Sequence, residues 1–247
     1  MNNDPTERQK ALLLAEDWRF HAIDYVGTGL GMLASTEKAS FAKDRIVSFG
    51  LPSAPALFLN LAIASYRHRA TINLDDAFIQ HPPPQGTWPE EHGNLFDYFQ
   101  STMAEIVMAF SAIEAFANES IPSGYTYLFT QQDGKVVPLT GLELERRVSL
   151  DEKLSSLLPA VHSINSPKGR KPWERYRKLK ALRDRLTHLK SVDRKASGPE
   201  DQTIWGSLLE ARNENFALSA FTIIGAFPEL VQQRRWYILA GHLLKRT

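Results

Sequence analysis

The residues best suited to acid–base and phosphate chemistry lie together in one short segment, Leu182–His188. Arg183 carries a permanent, forked positive charge that matches the geometry of a phosphate group. Asp184 could orient a neighbouring cation or imidazole, and Thr187 could donate a hydrogen bond to phosphate. His188, with an ordinary pKa of about 6.5, can accept or release a proton near neutral pH. We therefore take Arg183, Asp184 and His188 as candidate catalytic residues and Thr187 as a candidate substrate contact.

Helical spacing predicts how this segment is presented. On a helix at about 100° per residue, four leucines fall within an arc of about 80° and would dock on a core: Leu179, Leu182, Leu186 and Leu189. The four polar residues of the segment then share the roughly opposite side. The alternative is an ordinary solvated face, because an arginine followed five positions later by a histidine is not a specific pattern. A looser pair, Arg235 and His242, has apolar residues between its members.

The segment lies within a strongly basic stretch. From Lys168 to Lys195, 28 residues carry twelve Lys or Arg and three acidic residues, a net charge of +9 in a chain whose total is +1. The rest of the chain is therefore acidic. A concentrated basic stretch in an acidic protein indicates a polyanion site, although a solvated basic helix has the same composition. Three further basic residues are candidate substrate contacts: Lys180, Arg185 and Lys190.

A second candidate element is Glu114, in the apolar run 106–117. A helix that is apolar on every side is buried, and a buried carboxylate must be paired or protonated. Ser111, Glu114 and Asn118 follow helical spacing and form one polar stripe. The pattern predicts that these three are buried supporting residues. Glu114 would pair either with an arginine of the core or with the surface that carries Arg183 and His188.

Composition and missing motifs exclude several function classes. The chain has no cysteine, which removes disulfide frameworks, thiolate zinc sites and cysteine nucleophiles. Acidic clusters at 75–76 and 90–92 are typical of solvated loops, and no P-loop or serine nucleophile elbow occurs. We expect no metal and no cofactor. Because no apolar run approaches about 20 residues and the N-terminus lacks a signal-peptide pattern, we expect a cytoplasmic protein without a membrane partner.

Most of the chain has helical periodicity, interrupted by one β signal. Residues 125–129 alternate, Asp133-Gly134 forms a hairpin turn, and 136–137 begin the return strand. The proline-rich stretch 81–86 predicts a connection, so we divide the chain near residue 93 into an N-terminal helical region, 1–93, and a helical domain, 94–247. The predicted helices are 6–25, 35–48, 53–69, 94–119, two that begin at the capping boxes 140–143 and 149–152, of which the second ends near 163, then 172–191, 202–226 and 228–244.

Three parts of the sequence resemble the HEPN superfamily (higher eukaryotes and prokaryotes nucleotide-binding). These are a helix ending in SAIEAFANE, the later run SLDEKLSSLL, and WERYRKLKALRDRLTH. The family signature is an arginine, a polar residue, a few further residues and a histidine, and Arg183-Asp184 with His188 has that form. Glu114 matches an acidic position on an earlier helix of the family. The resemblance covers about residues 94–245 and implies an all-α, HEPN-like helical bundle, here with an N-terminal helical extension and one small inserted β-hairpin.

The resemblance also implies a function. Many HEPN proteins are metal-independent endoribonucleases, often toxins or abortive-infection effectors, whose site forms across a two-fold dimer. RNA would be cleaved by attack of its own 2′-OH, with His188 transferring protons and Arg183 stabilising the phosphorane. The expected partners are RNA, a second copy of the chain and an antitoxin protein. Two alternatives remain open: a catalytically silent nucleotide- or RNA-binding module of the same fold, and a structural helical protein whose basic helix docks on an acidic surface.

Overall fold

The structure, a computed structural model, describes residues 17–20, 22–24, 32–34, 36–42, 45–74, 89–194 and 203–245. The chain is mostly helical, as the periodicity predicts. Three pairs of antiparallel strands accompany the helices in the described part of the chain. The expectation of a single β-hairpin is therefore wrong, since two of these pairs lie before residue 51. The predicted connection at 81–86 lies outside the described residues.

The two additional strand pairs replace the predicted N-terminal helices. Strand β1 (Ala22–Asp24) pairs with β2 (Met32–Ala34), and β3 (Thr36–Ala42) pairs with β4 (Arg45–Gly50). The prediction of a helix at 35–48 is wrong, as is the end of the helix predicted at 6–25 where it is described. Residues 6–16, 21 and 25 of that second helix lie outside the described residues. Cross-strand hydrogen bonds determine the secondary structure of this region, and helical periodicity along one segment does not reveal them. Ile46 and Val47 are β-branched, which favours strand over helix.

Two long helices form the centre of the molecule. Helix α1 (Ala54–Thr71) has Pro55 in its first turn, where the missing N–H costs no hydrogen bond. Helix α2 (Pro89–Glu119) begins five residues before the predicted Asn94, again at a proline, and ends where the sequence predicts. The two helices pack along each other within one hydrophobic core. That core therefore extends across the boundary predicted near residue 93, which lies inside α2.

The hairpin predicted from the sequence is confirmed. Strands β5 (Thr126–Thr130) and β6 (Val136–Thr140) pair antiparallel, with Leu128 opposite Pro138. Gly134 closes the turn at φ 82°, a conformation that glycine adopts without strain. Helix α3 (Gly141–Arg147) follows at once. The hairpin and α3 cover a small second core of buried side chains, Leu139, Leu144, Val148 and Leu157.

The next helical segment begins and ends as predicted. The Ser149 Oγ accepts a hydrogen bond from the Glu152 N–H at 3.2 Å, which caps helix α4 (Leu150–Glu152). A π-helical turn (Lys153–Leu157) and helix α5 (Leu158–His162) continue it. Ser163 ends the segment in the left-handed conformation, with φ 55°. The capping and periodicity signals do not predict the π-helical turn.

The C-terminal half is helical but more broken than predicted. Helix α6 (Lys171–Thr187) is followed by a 3₁₀ turn (Ser191–Arg194). The predicted helix 202–226 consists of α7 (Ile204–Glu210), a 3₁₀ turn (Ala211–Asn213) and α8 (Phe216–Ile224), because the side chain of Asn215 caps a new helix at the Leu218 N–H, 2.7 Å away. The predicted helix 228–244 likewise divides into α9 (Pro228–Val231) and α10 (Arg235–Leu244).

One hydrophobic core joins most of these helices. Residues of α1, α2, α6, α7, α8 and α10 contribute to it, and its largest buried side chains include Trp236, Tyr176, Phe216 and Phe227. The apolar run 106–117 lies in this core for most of its length, as predicted. Of the helices that the structure describes, none combines the length and the apolar composition needed to cross a membrane.

Candidate functional site

Helix α6 contacts the core with a different face from the predicted leucine stripe. Its buried residues are Trp173, Tyr176, Leu179 and Leu186, whereas Leu182 is half-buried. Leu189 is 50% exposed and lies beyond the end of the helix, so its predicted docking role is wrong. The two aromatic rings, in contact with each other at a centroid distance of 5.1 Å, occupy the side of the helix that faces the core. The helix is therefore rotated away from the orientation that the leucines predict.

This rotation places Arg183 beside the core and not opposite it. Arg183 lies four residues after Leu179 and seven after Tyr176, on the same face of α6. Its guanidinium carbon is 3.8 Å from the centre of the Phe110 ring of α2, within cation–π distance. Arg183 Nη1 also donates to Asp184 Oδ1 at 2.9 Å. The Arg183 side chain keeps 28% of its surface exposed, so the group is oriented but still accessible to a ligand.

His188 is accessible but is not oriented by the described residues. The helix ends at Thr187, and the His188 N–H donates to the Asp184 carbonyl at 3.0 Å as the last helical bond. Its ring is exposed and makes no hydrogen bond to the part of the chain that the structure describes. The Thr187 hydroxyl lies 3.1 and 3.2 Å from the Arg183 and Asp184 carbonyls. The structure therefore brings Arg183 and Asp184 into contact and leaves His188 at the exposed end of the helix.

A hydrogen-bonded triad that sequence reasoning missed lies beside Arg183. Asp151 of α4 accepts a hydrogen bond from the Tyr176 hydroxyl and one from Lys180 Nζ, the latter at 2.7 Å. Burial by itself would raise the pKa of Asp151, but these two bonds outweigh it and hold that pKa below its ordinary value. Burial, together with the bond to Asp151, raises the pKa of Tyr176. Lys180, a predicted substrate contact, is thus in an ion pair, and Tyr176 stays protonated near neutral pH.

A second carboxylate organises the end of the basic stretch. Buried Asp193 accepts from Arg185 Nη2 and the Lys190 N–H, each at 2.7 Å, and from the Ile204 N–H at 2.8 Å. Burial tends to raise the pKa of Asp193, and the two backbone bonds with the charges of Arg185 and Lys190 lower it overall. Arg185, a predicted substrate contact, therefore joins α6 to the 3₁₀ turn that leads toward α7. The side chain of Lys190 is exposed.

The basic stretch exposes a set of cations that form no salt bridge with the described residues. Of its eleven described basic side chains, four are in ion pairs: Lys178, Lys180, Arg183 and Arg185. The other seven are all exposed and make no ion pair with the part of the chain that the structure describes. We call these seven the basic surface: Lys168, Arg170, Lys171, Arg175, Arg177, Lys190 and Arg194. Their charge is available to an external polyanion.

The predicted burial of Glu114 is wrong. Its side chain is exposed, because the buried side of α2 at this point is formed by Ala112, Ile113 and Phe116. Asn118 Oδ1 instead accepts a hydrogen bond from buried Lys153 Nζ at 2.8 Å. Burial lowers the pKa of Lys153, and the negative charge of Glu114 opposes this shift. Asn118 and Glu114 thus interact with the π-helical turn through Lys153, and Ser111 is half-buried.

The buried carboxylate of α2 is Glu105, which sequence reasoning missed. Its side chain is fully buried and forms an ion pair with Arg69 of α1 at 2.8 Å. Glu105 Oε1 also accepts from the N–H groups of Phe216 and Ala217, at 2.6 and 3.2 Å, at the start of α8. Burial raises the pKa of Glu105, and Arg69 opposes this shift. The Arg69–Glu105 ion pair therefore connects α1, α2 and α8, and its role is to stabilise the fold. The apolar run gives no signal for it, since the run begins one residue later.

Within the described residues, no three His, Asp or Glu side chains lie close enough together to hold a metal ion. The candidate site therefore consists of Arg183, Asp184 and His188 with the adjoining basic surface. No protein-family model, curated protein or solved structure matches this chain.

Proposed function

We propose that this protein is a metal-independent endoribonuclease of the HEPN type that binds RNA on the basic surface and cleaves it beside Arg183. The observation that supports this proposal best is the placement of the Arg183 guanidinium. It lies over the Phe110 ring, bonds to Asp184 and remains partly exposed. A cation oriented before substrate arrives stabilises charge that develops on a phosphorane without reorganising during the reaction.

The basic surface supports RNA as the ligand. Seven exposed cations that form no salt bridge in the described chain lie before and after the Arg183 turn along the sequence. Such a surface neutralises backbone phosphates and releases their counterions, so binding weakens as salt rises. A protein partner with an acidic surface would use the same charges. The oriented guanidinium, which suits phosphate geometry, favours the nucleic acid.

In the proposed reaction, His188 transfers protons while Arg183 contacts the phosphate. The substrate's 2′-OH attacks the adjacent phosphorus, its proton passes to a base, and the leaving 5′ oxygen receives a proton from an acid. Tyr176 is a poor candidate for either proton transfer, because burial and Asp151 raise its pKa. One chain offers a single histidine at this site. A two-fold dimer would supply a second His188 and a second Arg183 to one groove.

The second candidate function is an RNA- or nucleotide-binding module that does not cleave. One observation favours it: the His188 ring has no hydrogen-bond partner among the described residues, so one chain does not orient it. The two functions share the basic surface and differ only in the role of His188. An assay that separates binding from cleavage therefore decides between them.

The test measures binding and cleavage of the same labelled single-stranded RNA in EDTA. We expect wild-type protein to cleave RNA but not DNA of identical sequence, since DNA lacks the 2′-OH. His188→Ala is expected to abolish cleavage and leave the Kd within about twofold, because one imidazole adds little to a multi-cation footprint. His242→Ala is the matched control, as His242 is an exposed histidine of α10. Equal cleavage by His188→Ala and wild type would refute the enzymatic proposal, and binding without cleavage by wild type would support the silent module.

A further inference from the structure

Strand β5 has an open edge in the described part of the chain, where its sheet contains only β5 and β6. The register shows which backbone groups lie on that edge. The Gln131 N–H donates to the Lys135 carbonyl at 2.8 Å beside the turn, and hydrogen-bonded pairs alternate with non-hydrogen-bonded pairs along an antiparallel ladder. Counting from this pair, Thr126, Leu128 and Thr130 belong to non-hydrogen-bonded pairs. Their N–H and C=O groups therefore point away from β6.

The outer edge of β6 is blocked at its centre. Pro138 lies opposite Leu128 in a non-hydrogen-bonded pair, so its nitrogen faces outward and carries no hydrogen. Thr140, the last residue of β6, is the N-cap residue directly before α3. Prolines and charged residues are the features that keep an edge strand from pairing with another chain. β5, with the sequence TYLFT, has neither, so its edge is unprotected.

The sequence of β5 is symmetric about its central residue, Leu128. Tyr127 and Phe129 on either side of it are both aromatic. Thr126 and Thr130 at the two ends are identical. When the strand pairs antiparallel with its own copy about a two-fold axis at the leucine, Leu lies opposite Leu, Tyr opposite Phe and Thr opposite Thr. Aromatic pairs and threonine pairs are favourable cross-strand neighbours. In the same register, the outward-facing backbone groups of the two copies lie opposite one another and can exchange hydrogen bonds.

The edge is accessible and anchored before any partner binds. Leu128, at its centre, is 67% exposed. On the opposite face of the hairpin, Tyr127 and Phe129 pack against the small second core. The Tyr127 hydroxyl also donates to Glu152 Oε1 at 2.6 Å. Pairing with a second strand therefore requires no disordered segment to fold, which keeps the entropic cost of association low.

We propose that the β5 strands of two copies of this chain pair antiparallel about a two-fold axis at Leu128 and form one four-stranded sheet. Each copy contributes the same edge, and Pro138 blocks the outer edges, so the assembly stops at a dimer. The proposal concerns the surface through which two copies meet and rests on no part of the RNA site. A single strand of five residues is small beside a standard interface of about 1,200–2,000 Å², so we expect a dimer Kd of about 10–100 μM.

Sedimentation equilibrium of the full-length chain from about 5 to about 300 μM tests the assembly. Wild type is expected to show a monomer–dimer equilibrium. Leu128→Lys places two like charges opposite each other at the axis and is expected to raise the dimer Kd about tenfold or more. Val136→Lys is the matched control, because Val136 is 55% exposed on the same face of the hairpin but lies on β6. It is expected to change the Kd by less than about twofold. Circular dichroism checks that both variants are folded.

Wild type that stays monomeric at about 300 μM would overturn the proposal. Equal dimer Kd values for Leu128→Lys and wild type would overturn it as well. Neither result bears on the RNA proposal, which is measured by cleavage.

Amide hydrogen exchange distinguishes strand pairing from any other contact between copies. The Leu128 N–H has no backbone partner in the described chain of one copy, whereas Phe129 belongs to a hydrogen-bonded pair with Val137. Between about 5 and about 300 μM protein, exchange at Leu128 is expected to slow about threefold or more, and exchange at Phe129 is expected to stay unchanged. Exchange at Leu128 that does not depend on concentration in a sample that dimerises would show that the copies meet through another surface, and the proposal would be wrong.

Discussion

The guanidinium carbon of Arg183 lies 3.8 Å from the centre of the Phe110 ring, so the residue proposed to contact phosphate is anchored on the core helix α2. The same ring stacks with Tyr176 at a centroid distance of 6.4 Å. Tyr176 in turn donates to Asp151, which also binds Lys180. The orientation of Arg183 therefore depends on contacts among α2, α4 and α6.

A double-mutant cycle measures the Arg183–Phe110 contact. Phe110→Leu and Arg183→Met are expected to be coupled by about 0.5–2 kcal/mol in the free energy of unfolding, because either change removes the cation–π contact. Urea denaturation of the four proteins supplies the value. The pair Phe129–Arg147 of the hairpin and α3, with a longer distance of 5.7 Å, serves as the control and should show weaker coupling. Coupling indistinguishable from zero at Arg183 would mean that the ring does not hold it.

Charge-matched double variants test the basic surface. Arg175→Ala with Arg177→Ala is expected to weaken RNA binding and to reduce the salt slope of log K by about 0.7 for each phosphate that the variant no longer neutralises. Lys178→Ala with Lys180→Ala removes the same charge, but those amines already bind Glu214 and Asp151. Fluorescence anisotropy across a salt series compares the two. Equal effects in both variants would point to net charge alone and not to the basic surface.

The two glutamates of α2 are expected to differ sharply in their contribution to stability. Glu105→Gln leaves the buried Arg69 without its counter-charge, and we expect a loss of about 3–5 kcal/mol in the free energy of unfolding. Glu114→Gln changes an exposed side chain and is expected to fall within about 0.5 kcal/mol of wild type. Chemical denaturation monitored by circular dichroism checks both variants. A larger cost for Glu114→Gln than for Glu105→Gln would contradict the burial described above.

Asp151 is expected to contribute to acid sensitivity. Its pKa is lower in the folded protein than its ordinary 3.8, so the unfolded chain binds more protons in that range. The stabilisation is therefore complete above pH 3.8 and is lost as pH falls through the folded pKa. Asp151→Asn should be less stable than wild type at neutral pH, and the difference should shrink below pH 3.8. Thermal melting from about pH 7 to about pH 2.5 measures it, and a difference that stays constant with pH would exclude this role.

Local signals in the sequence predicted the elements that depend on neighbouring residues. The Asp133-Gly134 turn between alternating strands, the Ser149 cap and the end near Ser163 are all short-range features, and the structure contains each of them. The basic stretch was also visible, because exposure of charge needs no knowledge of tertiary contacts. The contact between Arg183 and Asp184 was predictable as well, because the two residues are adjacent in the sequence.

Only the tertiary structure decided which faces and partners these elements have. The rotation of α6 follows from the contacts of Trp173 and Tyr176, and Phe110, which lies 73 positions before Arg183, provides its ring. Glu105 and Glu114 occupy the same helix, and only Arg69 and the start of α8 determine that the first is buried. Strands β1 to β4 exist through cross-strand hydrogen bonds, which periodicity along one segment does not reveal. Sequence encodes local preference, whereas burial and pairing are set by contacts between distant segments of the chain.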